Sequence, residues 1–228
     1  MAYGLRVHLW GPYACFSRPE FKVERVSYDC ITPSAAKGIM DSIYWKPAIK
    51  WKIDKIHVIK PILFTNIRRN EVSETISLNK VRQLMKNPAP YSIVSTEKRQ
   101  QRAALILRDV EYVIEAHFCL TKEARKEDTA EKHHAIASRR FRGGKFYSAP
   151  FLGTREFGCD FEMIEEGEEI PKSCMTGKLD LGYMPYGINY KIDNVHTTDE
   201  KQEVSPSFFR AVLCDGVLDL TSVSNKFM

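Results

Sequence analysis

Two adjacent histidines follow a lysine in the stretch AEKHHAIASRRFRGGK, which holds the side chains best suited to chemistry. His133 has an ordinary pKa of about 6.5, so it can exchange protons at neutral pH, and Lys132 carries a lasting positive charge. Metal-free cleavage of an RNA phosphodiester needs a group that deprotonates the ribose 2′-hydroxyl, a cation beside the phosphate and an acid for the departing oxygen. Histidine, lysine and tyrosine can fill these roles. A solvated helix face has the same pattern, and both interpretations remain open.

The two histidines are poor partners in one metal site. Neighbouring residues on a helix point about 100° apart, whereas ligands of one ion favour spacings of three or four. His133 and His134 therefore cannot easily bind the same ion, and no HxxxH or HxxE motif lies nearby. The six cysteines are scattered without a CxxC pair, so neither a zinc site nor a disulfide framework is predicted. We expect no metal and no other cofactor.

Basic side chains and a pair of glycines end the same stretch. Glycines let a backbone come close to phosphate, and their N–H groups can donate to it. Phe146 and Tyr147 follow directly and offer rings on which unpaired bases could stack. An ordinary helix end, with cations that complement its dipole, is the alternative. The candidate RNA-binding residues are Arg139, Arg140, Arg142, Gly143, Gly144 and Lys145.

Tyr44, in the stretch SIYWKP, is a candidate from another part of the chain. The segment TPSAAKGIMDSIYWKP predicts a short amphipathic helix with Pro33 in its first turn and Pro47 as its stop. On such a helix Tyr44 shares a face with Lys37 and Asp41, so we expect its hydroxyl at the edge of the core. A purely packing role for this tyrosine is the alternative.

The elements that must position these residues follow the order strand, helix, strands, hairpin, helix and strand. GLRVHLWG, IKWKI and KIHVIKPILF alternate apolar and polar residues, as half-buried strands do. The pattern weakens over 66–102, and AALILRDVEYVIEAHFCL then predicts a hairpin that turns at 108–109. A second helix begins at Asp128 or Thr129 and ends at the glycine pair. This order is the outline of a ferredoxin-like domain, and short antiparallel strands with a turn at 214–216 follow it.

The composition is that of a globular protein with a mild positive charge. Hydrophobic residues make up 43% of the 228, and the formal net charge is +5. Such a charge is compatible with a polyanionic partner and is also common in proteins that bind none. No stretch is apolar enough for a signal peptide or a membrane span, so we expect a cytoplasmic protein without a membrane partner.

Six segments resemble, in their order, the Cas-five family of CRISPR-associated proteins in its Dvulg or subtype I-C branch: GPYACF, AAKGIMDSIYWKP, VIKPI, EAHF, KHHAI and FLGTREF. SIYWKP and FLGTREF are the most specific, and the resemblance covers nearly the whole chain. It implies an α+β fold. An RRM-like ferredoxin domain would span 1–155, with a variable insertion at about 66–102, and a small antiparallel β-sheet domain would span 156–228.

The resemblance also implies an activity and partners. Members of this branch cut the CRISPR precursor RNA at the base of the repeat hairpin, and they stay with the 5′ handle in the type I-C interference complex beside its other subunits. The implied enzyme is a metal-independent endoribonuclease that leaves a 5′-hydroxyl and a 2′,3′-cyclic phosphate. Its catalytic residues would be Tyr44, Lys132 and His133, with His134 as an alternative for proton transfer. A non-catalytic subunit that caps the 5′ handle is the alternative function.

Overall fold

The computed structural model of this chain describes residues 4–21, 23–191 and 203–224 and has an α+β fold built on one large sheet. Its strands are β1 (Gly4–Ala14), β2 (Arg25–Val26), β3 (Ile49–Val58), β4 (Phe64–Val72), β5 (Arg99–Leu120), β6 (Asp160–Ile164), β7 (Lys178–Lys191), β8 (Glu203–Cys214) and β9 (Val217–Asp219). Its helices are α1 (Pro33–Ile43), α2 (Leu78–Lys86), α3 (Ala130–Arg142) and α4 (Thr221–Ser224). None of the helices described is long and apolar enough to cross a lipid bilayer.

The strand β5 is the centre of the sheet, whose order is β6-β1-β5-β3-β9-β8-β7. Its second half lies between β1 and β3, and both neighbours run antiparallel to it. Its first half extends beyond them and pairs with β4, while β2 adds a short parallel pairing. Because β9 pairs with β3 and also with β8, the C-terminal strands continue the same sheet.

The helices α1 and α3 touch each other and cover part of this sheet. The helix α1 packs on β3 and β7, and α3 packs on β6. Trp51 of β3 is almost fully buried, and its ring lies edge-on to Phe118 at 5.3 Å and to Phe141 of α3 at 6.2 Å between centroids. Burying a large apolar side chain stabilises a fold by about 1.5–3 kcal/mol. This aromatic cluster therefore fixes α3 against the sheet.

The bounds predicted for the helix before the glycine pair, which is α3, are confirmed. The Thr129 hydroxyl accepts a hydrogen bond from the N–H of Lys132, as an N-cap does, and the helix ends at Gly143. Gly144 follows with φ of +59°, a left-handed conformation that glycine adopts without strain. The turn predicted at 214–216 is also confirmed, since Asp215 and Gly216 have φ of +49° and +77° between β8 and β9.

The hairpin predicted around 108–109 is wrong, because β5 runs through this point as one strand of 22 residues. Asp109 takes a φ of +51°, and aspartate tolerates this conformation better than most residues. The sequence signal for a turn at 108–109 therefore comes from the unusual conformation of Asp109, and the chain does not reverse direction there. The Asp109 carboxylate accepts a hydrogen bond from Lys60 at 2.8 Å, which places it beside the loop after β3.

The segment 66–102, where the sequence pattern is weak, contains most of β4, the helix α2 and the start of β5. Both strands pair with each other, but most of their side chains are exposed or only half-buried, so no alternation of apolar residues marks them. The helix α2 has no buried residue. The expectation that relatives vary over 66–102 stays a prediction.

The motif FLGTREF fastens a loop to the end of β1. Leu152 is fully buried, its carbonyl accepts a hydrogen bond from the N–H of Cys15 at 3.0 Å, and its own N–H donates to Phe157 at 2.8 Å. Gly153 has φ of +86°. The motif is thus a packing element in this fold.

Candidate active site

Tyr44 and His133 meet in the core although 89 residues separate them in the chain. The distance from the Tyr44 hydroxyl to His133 Nδ1 is 2.7 Å. The two residues are 1% and 3% exposed, and Phe118 of β5 lies edge-on to the histidine ring. The structure therefore brings together two of the three residues proposed from the sequence, and Lys132 is the neighbour of the second.

Tyr44 is not on the polar face of α1, where the sequence placed it. The helix ends one residue earlier, and Tyr44 has an extended backbone with φ of −145°. The ion pair between Lys37 and Asp41 does form, at 3.0 Å, but Tyr44 no longer follows their face because it has left the helix. Its N–H donates to Met40 and its carbonyl accepts from Trp51 Nε1 at 2.8 Å. Both backbone groups are held, so the buried position of the phenol ring is well defined.

Burial sets the protonation of this pair. It raises the pKa of Tyr44, an effect that nearby Arg140 opposes, and it lowers the pKa of His133, an effect that Asp128 opposes. At neutral pH the tyrosine therefore keeps its proton and the histidine is neutral. A hydroxyl can donate to Nδ1 or accept from it. Tyr44 thus fixes the ring and allows His133 to present either a proton or a lone pair at Nε2.

The other ring nitrogen of His133 faces a carboxylate that the sequence reasoning missed. His133 Nε2 lies 3.6 Å from Asp128 Oδ1 and is buried, and no described residue forms a hydrogen bond of ordinary length with it. Lys132 Nζ lies 3.3 Å from the same oxygen and donates to the carbonyl of Glu127 at 3.1 Å. The available signal was the spacing of four residues between Asp128 and Lys132, which favours an ion pair across a helix start.

A basic cleft opens beside the pair and is lined by Arg139, Arg140, Gly144, Lys145 and Phe146. Arg140 connects the cleft with the buried pair, because its guanidinium donates to the carbonyl of Ile43 at 3.1 Å and lies 5.7 Å from the centre of the Tyr44 ring. The backbone N–H groups of Tyr147 and Ser148 donate to Ser42, near the end of α1. Cations and the exposed ring of Phe146 therefore line the cleft.

Two of the proposed RNA-binding residues lie outside this cleft lining. Arg142 donates to both carboxylate oxygens of Glu165, at 2.7 Å for the longer bond. Glu165 belongs to the acidic turn after β6, so this turn neutralises one cation of α3. Gly143 is the C-cap of the helix.

Metal-binding side chains do not cluster in the described part of the chain. Within residues 4–21, 23–191 and 203–224, no group of three histidine, cysteine, aspartate or glutamate side chains is arranged to hold an ion. The six cysteines, all described, are free thiols.

Comparison with known proteins agrees with the resemblance seen in the sequence. The profile of a family described as CRISPR-associated protein (Cas_Cas5) matches residues 4–221. A protein of Mannheimia succiniciproducens, named CRISPR pre-crRNA endoribonuclease Cas5d, is 45% identical over 226 residues, which cover 96% of each chain. A protein of the same name from Thermus thermophilus is 38% identical over 189 residues, which cover 83% of this chain and 75% of its own.

A solved structure of a CRISPR-associated protein has the same fold. It superimposes with a TM-score of 0.66 and 26% identity, over 95% of this chain and 90% of its own. The match by family profile spans nearly all of the chain, and two curated relatives exceed 30% identity over most of their length. The chain therefore belongs to the Cas5d branch of the CRISPR-associated Cas5 family.

Proposed function

We propose that this chain is a metal-independent endoribonuclease that cleaves CRISPR precursor RNA in the repeat, at the base of its hairpin. The two curated relatives are named as pre-crRNA endoribonucleases. The observation that carries the proposal for this chain is the 2.7 Å hydrogen bond between the Tyr44 hydroxyl and His133 Nδ1, with Lys132 next to it. This pair joins the two segments whose resemblance to the family implied catalytic residues.

The chemistry follows from the neutral state of His133. His133 Nε2 takes the proton of a ribose 2′-hydroxyl, and the 2′-oxygen attacks the neighbouring phosphorus. The bond from phosphorus to the 5′-oxygen breaks, and the imidazolium returns the proton to that oxygen. The products are a 2′,3′-cyclic phosphate and a 5′-hydroxyl. Lys132 stabilises the charge on the phosphate in the transition state, and Tyr44 orients the imidazole through Nδ1.

A cleavage assay in EDTA tests this function. Purified protein and cognate repeat RNA should give two products, and a repeat RNA with 2′-deoxyriboses across the base of the hairpin should stay intact because its nucleophile is missing. Binding of the normal repeat without cleavage would instead support the alternative, a non-catalytic subunit that caps the 5′ handle. Loss of cleavage in EDTA with recovery on addition of a divalent ion would contradict the metal-independent mechanism.

The fold and setting proposed for the enzyme follow the family. We interpret 1–155 as an RRM-like ferredoxin domain with an insertion at 66–102, and 156–228 as an antiparallel β-sheet domain. Since β6 pairs with β1 and β9 with β3, the two units would share one sheet. Limited proteolysis of the full chain tests this boundary. After cleavage the protein is proposed to stay on the 5′ handle, in the cytoplasm, with other subunits of a type I-C interference complex.

The decrease of kcat/KM at acidic pH should report the protonation of His133. Burial lowers the pKa of His133, and a general base must be neutral to act, so its active form is full at every pH well above that lowered pKa. We expect kcat/KM to be flat from about pH 8 to about 6.5 and to fall only at lower pH. Single-turnover rates across this range measure it. A rate that declines as the pH rises through the same range would assign His133 the role of an acid instead.

The basic cleft should supply the phosphate contacts. Replacing Arg139 or Lys145 by alanine is expected to weaken RNA binding and to reduce the slope of log K against log salt by about 0.7 to 0.9 for each phosphate that the variant no longer binds. Arg142→Ala is the matched comparison from the same helix, and its effect should be smaller because Glu165 already neutralises that cation. Unchanged slopes for Arg139→Ala and Lys145→Ala would place the RNA-binding surface elsewhere.

A further inference from the structure

One carboxylate oxygen lies close to both Lys132 Nζ and His133 Nε2 in the proposed active site. Asp128 Oδ1 is 3.3 Å from Lys132 Nζ and 3.6 Å from His133 Nε2. A negatively charged oxygen between a lysine and a histidine is also what a bound phosphate would offer. The carboxylate thus has the charge of the scissile phosphate and contacts Lys132, the cation that binds this phosphate in the mechanism above.

The contact with Asp128 also blocks access to His133 Nε2, the nitrogen proposed to transfer the proton. His133 Nε2 is buried, and within the described residues it has no hydrogen bond of ordinary length, since Asp128 Oδ1 lies 3.6 Å away. An unsatisfied polar atom in a core costs free energy, so such an atom in a catalytic side chain indicates a missing partner. RNA cannot supply that partner while the carboxylate stays in place.

We propose that Asp128 occupies, in the free protein, the position of a phosphate oxygen of the RNA, and that RNA binding must displace it. This inference rests on the proposed function of the same site. Two anionic oxygens cannot share the place between Lys132 and His133, because like charges at this distance repel. The main-chain N–H of Arg125 and the ammonium of Lys132 lower the pKa of Asp128, so the carboxylate is ionised at neutral pH.

The structure allows this displacement at low cost. Asp128 lies before the N-cap of α3, and its side chain is held by Lys132 and, at 3.1 Å, by the N–H of Arg125. Its side chain remains 22% exposed, so water can take over these contacts when it swings away. Lys132 is about half exposed and can follow the phosphate without unpacking the core. The buried pair of Tyr44 and His133 stays where it is.

Replacing Asp128 by asparagine tests the proposal, because the amide keeps an oxygen for Arg125 but removes the charge. Binding is measured with a repeat RNA that carries 2′-deoxyriboses across the base of its hairpin, which cannot be cleaved. We expect Asp128→Asn to tighten binding by about threefold to tenfold and to raise kcat/KM on the normal repeat by a similar factor. Glu127→Gln removes the same charge one residue earlier, where Lys132 Nζ donates to the main-chain carbonyl and not to the carboxylate, and should change both values much less.

Three results distinguish the possible failures. Equal effects of Asp128→Asn and Glu127→Gln would mean that the net charge of the protein, and not the position of Asp128, affects RNA binding. This result would contradict the proposal. A lower kcat in Asp128→Asn would also contradict it, and would make Asp128 a residue that positions His133 for the reaction. A wild-type protein that binds the repeat without cleaving it would refute the proposed nuclease function, while tighter binding by Asp128→Asn would still support displacement. NMR titration of His133 checks the variant, since loss of Asp128 should lower that pKa.

Discussion

Replacement of His133 by alanine should lower the rate of repeat cleavage by about 10² to 10⁴, with RNA binding little changed. His133 is the group in the pair with Tyr44 that can take a proton at neutral pH, because burial raises the pKa of the tyrosine and lowers that of the histidine. The imidazole lies at the end of a 2.7 Å hydrogen bond and not in the basic cleft, so its loss removes proton transfer and few phosphate contacts. Single-turnover cleavage and filter binding measure the two effects.

Two controls separate the loss of proton transfer from other effects of the substitution. Alanine leaves a cavity at a residue that is only 3% exposed, so the unfolding temperature of the variant must be measured beside its rate. His133→Gln fills more of the space and should be as slow, because glutamine cannot exchange a proton. His134→Ala changes the neighbouring imidazole and should leave the rate within a few fold. If His134→Ala were the slow variant, the proton-transfer role would belong to that residue.

The second large effect concerns stability and arises in the FLGTREF motif. A Cβ at position 153 would lie 2.0 Å from the carbonyl oxygen of Cys15, and the backbone there has φ of +86°. Both the overlap with a main-chain atom and the unfavourable conformation oppose any side chain. We expect Gly153→Ala to lower the free energy of unfolding by about 3 kcal/mol or more and the unfolding temperature by roughly 6–12 °C.

Gly144→Ala separates the two causes. Gly144 also has a positive φ, of +59°, but a Cβ there would meet no atom of the described residues within 4 Å. Its substitution should cost only about 1 kcal/mol, which is the effect of the conformation alone. Thermal and urea unfolding of both variants give the comparison. A similar loss in the two would show that the contact between Gly153 and Cys15 does not restrict the loop, and that FLGTREF is not the packing element described above.

The helix α3 could be predicted closely because local chemistry decides where it begins and ends. Thr129 supplies its N-cap and the pair Gly143–Gly144 its end, and both signals lie within a few residues of the boundary. The central strand β5 could not be predicted in the same way. Asp109 gave a turn signal, but pairing with β1 across the sheet keeps the strand continuous, and such long-range pairing leaves no local mark.

The sequence reasoning named residues that the structure brings together, but it did not place them correctly. Residue types and the family resemblance proposed Tyr44, Lys132 and His133, but periodicity placed Tyr44 on the helix, at the edge of the core. Its real position depends on the helix ending at Ile43 and on the bond from Trp51 Nε1, which joins residues from different elements. Asp128 was missed for a related reason. An aspartate before a helix has an ordinary structural role, and only its distance from two functional groups distinguishes it.

The position of β5 between the two halves of the site has a consequence for synthesis. Tyr44 emerges from the ribosome 89 residues before His133, and β5, which pairs with β1 and β3, is synthesised between them. Such pairings between distant segments form slowly compared with helices. A nascent chain that has not yet reached His133 therefore holds no Tyr44–His133 pair. The proposed site is thus complete only after β5, which separates its two halves in the chain, has been synthesised.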